Sequence, residues 1–129
     1  MAQEALVGDV KTLLRKLQET DGPVALLMLV APYVASERLW DMVVSARGLD
    51  SRGTREAIHC VAELLRQTVN KDDLGTITSV DVRRTDDPFV QAMNGAYRVQ
   101  ESDILIFNAT ILTVEIEKAI LVQSQKAAA

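Results

Sequence analysis

The sequence predicts an α+β domain. It would have one mixed, largely antiparallel sheet with helices packed mainly on one face, in the order α-β-β-α-β-α-β-β. Three observations carry this. Two amphipathic stretches of helical period, residues 3–19 and 54–70, are longer than ordinary strands. Runs of strand length recur at 24–31, 39–46, 76–83 and after residue 97. The links between them alternate hairpin-length segments with helical crossovers, which is the signature of a mixed sheet.

The elements follow in order. Leu6, Val10, Leu13, Leu14 and Leu17 form one stripe of the first helix, and Asp21-Gly22-Pro23 closes it. The stripe is expected to dock on its own sheet, with a partner surface as the other use. Residues 24–31, VALLMLVA, lack any polar alternation and lie between two prolines. Such a run predicts a central strand covered on both faces. Residues 32–38 are a polar-tipped connection of hairpin length. In the second strand, 39–46, Trp40, Met42, Val44 and Ala46 share one side.

Asp50, Ser51 and Thr54 are the capping candidates for the second helix, whose buried face is read as Ile58, Val61, Ala62, Leu65 and Val69. Lys71 to Gly75 reads as a turn and 76–83 as an alternating strand. Asp87 caps a short helix with Pro88 at its first position, and Phe89, Val90 and Met93 point inward until Asn94-Gly95 ends it. Residues 97–100 and 103–108 are extended but interrupted, and a last strand spans 116–123. Residues 124–129 read as a flexible tail. No repeat or linker divides the chain, so residues 1–129 form one domain.

Composition narrows the function. Apolar residues are 48% and aromatics only 4%, so the core is aliphatic and offers few stacking platforms. A net charge of −4 argues against a nucleic-acid surface, which needs clustered cations. A single cysteine rules out an internal disulfide framework. The N-terminus has no secretory pattern and the longest apolar run, Val24 to Ala31, is too short to span a membrane. A cytoplasmic protein without membrane or nucleic-acid partners is expected.

Catalytic constellations are hard to find. His59 and Cys60, the only residues of their types, are helix neighbours that project about 100° apart. Both are placed on the polar face of the second helix and assigned no task. Asp81, Asp86, Asp87 and Asp103 would have to converge to hold a hard cation. Asp87-Pro88 with Glu115-Ile116-Glu117-Lys118 falls short of the Glu-x-Lys pattern of metal-dependent nucleases, because Glu117 and Lys118 are adjacent. No catalytic residue, metal ligand or cofactor is therefore assigned.

Arg47, Arg83 and Arg84 stand at predicted strand ends, where ligands of open sheets collect, and arginine suits carboxylate or phosphate. They are the candidate ligand-binding residues, although no phosphate loop accompanies them. The leading expectation is a non-catalytic interaction or scaffold domain acting as a homo-oligomer, with a protein partner as a further possibility. Its contact would be the first-helix stripe or the edge made by a late strand. The alternative is a binding or regulatory module for an anionic small molecule. A carboxylate-based metal enzyme ranks third.

Overall fold

The computed structural model describes residues 2–31 and 39–126. The elements are α1 (Ala2–Asp21), β1 (Val24–Val30), β2 (Trp40–Ala46), a 3-10 turn (Arg47–Leu49) and α2 (Thr54–Thr68). Then come α3 (Lys71–Leu74), β3 (Ile77–Val82), α4 (Pro88–Ala96), β4 (Ile104–Ile111) and β5 (Val114–Ser124). The five strands form one sheet in the order β3-β2-β1-β5-β4. Only β2 and β3 pair in parallel, joined by the α2 crossover; the other pairs are antiparallel. The predicted class and the rough element order hold. The connection at 32–38 lies outside the described residues.

β1 is the central strand, as its unbroken apolar run requires. Leu27 and Leu29 face the helical pair, while Leu26 and Met28 face the opposite side, and all four are fully buried. On the first side, α1 sets its whole stripe against the sheet: Leu6, Val10, Leu13, Leu14 and Leu17 are each at most 3% exposed. α2 packs beside it over β3, and Trp40, Met42, Val44 and Ala46 of β2 are buried in the same core. Among the described residues α4 is the helix on the other side, where Phe89, Val90 and Met93 meet Ala25, Met28 and Val43.

Several local readings need correction. Gly53, not Asp50, Ser51 or Thr54, is the N-cap of α2. Asp50 instead reaches across to Thr85, accepting its backbone N–H at 2.9 Å and its hydroxyl. The buried face of α2 is Ala57, Val61 and Leu65, rotated away from Ile58 and Ala62, which line a shallow groove with β3. Residues 71–74 make one helical turn capped by Asn70, whose side chain accepts from the Asp72 amide. Asp87 caps α4 as expected, with Pro88 next, but the helix continues to Ala96.

The largest difference is at the C-terminal end. Ser124 is no tail: it ends β5, fully buried, and bridges to Val99. β4 and β5 form a tight hairpin in which Ile111 pairs with Val114, leaving a two-residue turn at Leu112-Thr113. Leu112 adopts φ 57° there and Asn108 adopts φ 52° within β4. Asparagine tolerates that left-handed conformation through its short polar side chain; leucine does so at a cost. No helix among the described residues is long and apolar enough to cross a membrane.

Candidate functional site

The hairpin tip and the outer strand gather exposed apolar side chains. Among the described residues, the large exposed hydrophobics are Ile104, Leu105, Phe107, Leu112 and Val114. All lie within the β4–β5 hairpin. Leu105 and Phe107 are 51% and 59% exposed. They pair across with Ile120 and Lys118, which places them on the face that α1 covers farther inward. Lys118 itself reaches back over Trp40, its Nζ 5.4 Å from the ring. α1 stops short of β4, and the gap is an open notch of about 370 Å³ lined by Val7, Gly8, Lys11, Asp103, Leu105 and Ile120.

The two edges of the sheet contrast. β3 carries Asp81, and its Thr78 and Ser79 hydroxyls donate to Asp41 at 3.0 and 2.8 Å. β4 reads ILIFNATI, eight residues with no charge and no proline. A charge on an edge strand deters pairing with another chain; an apolar edge without one invites it.

The three predicted arginines do not form one site. Arg83 is held by Asp81 at 3.0 Å and Asp87 at 3.4 Å, and its guanidinium lies 5.2 Å from the Phe89 ring centroid. Partial burial disfavours its charge, but the two carboxylates outweigh this and raise its pKa. Arg84 bonds Asp86 at 3.0 Å and the Asp50 carbonyl at 2.9 Å, and the Asp86 hydrogen bond raises its pKa too. Both therefore tie the β3–α4 loop in place. Arg47 stands apart, in a cleft it shares with Arg98 and Lys126. Those two were missed because each sits in a segment whose end the sequence leaves undefined.

The acidic residues also separate. Asp81, Asp86 and Asp87 answer the arginines, while Asp103 lies by α1. Among the described residues no three His, Cys, Asp or Glu side chains group as they would around a metal ion.

His59 is exposed, but Cys60 is not on the polar face. The rotation of α2 turns Cys60 against the core, and its thiol donates to Asp21 Oδ2 at 3.8 Å. Asp21 is 4% exposed and also accepts from Arg52 at 3.2 Å. The hydrogen bond to Asp21 raises the Arg52 pKa. Burial pushes the Cys60 thiol up, with the Asp21 charge adding to it. A thiol held protonated is a poor nucleophile, and the Asp21–Arg52–Cys60 contacts tie α1 to α2. No known protein family, no curated protein and no solved structure matches this chain.

Proposed function

We propose that this domain is a non-catalytic association module that pairs with a second copy of itself along the outer edge of β4. The observation that carries the reading is that, among the described residues, the large exposed hydrophobics are confined to the β4–β5 hairpin. Scattered single apolar residues on a surface mean nothing; a contiguous set along an unpaired strand marks an interface. An eight-residue strand offers a ladder roughly 27 Å long.

Two-fold antiparallel pairing is the natural closure, since the same patch then serves both subunits and every edge hydrogen bond is made twice. It would join two five-stranded sheets into one and bring each Leu105–Phe107 pair against its symmetry mate. Leu112 supports the reading from a different direction. The tight two-residue turn demands a left-handed residue at this position, and the chain places there an exposed leucine, which adds apolar surface at the tip of the same hairpin.

Sedimentation equilibrium of the wild type and of Leu105→Lys/Phe107→Lys tests this. Both side chains are exposed, so the double variant keeps the fold, verified by circular dichroism. The wild type should show a monomer–dimer equilibrium and the variant a monomer. A wild type that stays at monomer mass up to high micromolar concentration refutes the proposal.

A further inference from the structure

We infer that the cleft holding Arg47, Arg98 and Lys126 is a binding site for a small polyanion, a molecule carrying two or more phosphate or carboxylate groups. The topology supplies the first reason. β1 runs antiparallel to both β2 and β5, and β2 runs parallel to β3, so β2, β3 and β5 end at the same side of the sheet. Arg47 follows the last residue of β2, Thr85 lies just past β3, and Lys126 just past β5. All three line one cleft of about 610 Å³, with Gln91, Asn94 and Arg98 contributed from α4 and the segment after it. A crevice outside the carboxyl ends of co-directional strands is where open sheets hold their ligands, and its volume suits a metabolite-sized molecule.

Charge is the second reason. Three cations meet here in a chain of net charge −4. Among the described residues the one carboxylate in the lining, Asp86, is already bonded by Arg84. Arg98 and Lys126 have no ion-pair partner among the described residues. Like charges such as Arg98 and Lys126 brought into one cleft repel, and an anion between them relieves that repulsion. Guanidinium groups recognise phosphate or carboxylate by paired hydrogen bonds, and the lysine adds a point charge.

Backbone anchoring is the third. The Arg47 amide donates to the Pro23 carbonyl at 3.0 Å. Val99, next to Arg98, exchanges two hydrogen bonds with Ser124, and Gln125, next to Lys126, donates to the Ala25 carbonyl at 3.1 Å. Asn94 ties α4 to the same place through the Ala25 carbonyl at 2.9 Å and the Ser124 hydroxyl at 3.1 Å. The main chain is thus tied at Arg47 and at the residues adjoining Arg98 and Lys126 before any ligand arrives, which lowers the ordering cost of binding.

The test is an amide-resolved NMR titration of the full chain with inorganic pyrophosphate and, separately, with citrate, at low ionic strength. The expected result is saturable shifts concentrated at Arg47, Thr85, Gln91, Arg98 and Lys126 with at least one of the two. A preference between them tells phosphate recognition from carboxylate recognition. Arg98→Gln and Lys126→Gln should each weaken binding about tenfold, while Arg66→Gln, on the exposed side of α2, should not. Both cleft side chains are exposed, so neither change threatens the fold. Absence of saturable shifts with both anions, shifts located elsewhere, or affinities unmoved in the two cleft variants would each overturn the assignment.

Discussion

Asp21 shows how much a single residue can organise. It is the last residue of α1, buried, and it receives Arg52 from the loop before α2 and the Cys60 thiol from α2 itself. Gly48 presses against its backbone: a Cβ there would lie 2.5 Å from the Asp21 carbonyl oxygen. No side-chain rotation relieves a clash with main chain. Gly48→Ala should therefore destabilise the domain by about 1–3 kcal/mol, read as a lower denaturant midpoint; an unchanged midpoint would show that the contact yields freely. The thiol has its own signature. Cys60 releases its proton less readily when folded than when unfolded, so its contribution is complete below the ordinary thiol pKa of about 8.5 and is lost as pH rises beyond it. Folded protein should react with iodoacetamide at pH 8 more slowly than urea-unfolded protein, and equal rates would contradict the burial. None of this was legible in the sequence. Asp21 reads as a helix-ending polar residue and Asp50 as a cap, because their true partners lie 31 and 35 residues away.

At the scale of elements, legibility follows the strength of the local signal. β1 was readable because an uninterrupted apolar run between prolines leaves few alternatives, and α1 because its stripe is regular. Leu27→Asp places a charge in the middle of the central strand, where Leu27 is fully buried. The cost is several kcal/mol, about the whole stability of a small domain, and the variant should be unfolded by circular dichroism. A cooperative thermal transition in that variant would show the core to be elsewhere. The β4–β5 hairpin was legible only in pieces. Its turn is Leu112-Thr113, with none of the Asn-Gly or Asp-Gly chemistry that announces a tight hairpin. Asn108 also turns the strand at midlength, which breaks the alternation a reader would follow. The α2 face was misjudged for a related reason: Ile58 and Ala62 fit a helical stripe as well as Ala57 does, and only the position of α1 decides which side is covered.

At the scale of the whole molecule, the described residues leave the sheet with one guarded edge and one bare edge. β3 is shielded by Asp81 and the Asp41-bound hydroxyls, whereas β4 presents apolar side chains along a charge-free strand. The sequence named a late-strand edge and the α1 stripe as alternative contacts. Burial of that stripe against the subunit's own sheet removes the second, which leaves the β4 edge as the contact for the proposed self-association. Amide hydrogen exchange reads the edge directly. The wild type is compared with Leu105→Lys/Phe107→Lys at the same high protein concentration. The account predicts slower exchange in the wild type across Ile104–Ile111, with no difference across Ile77–Val82 at the opposite edge. Equal exchange of β4 in the two proteins, or a difference appearing at β3 instead, would contradict it.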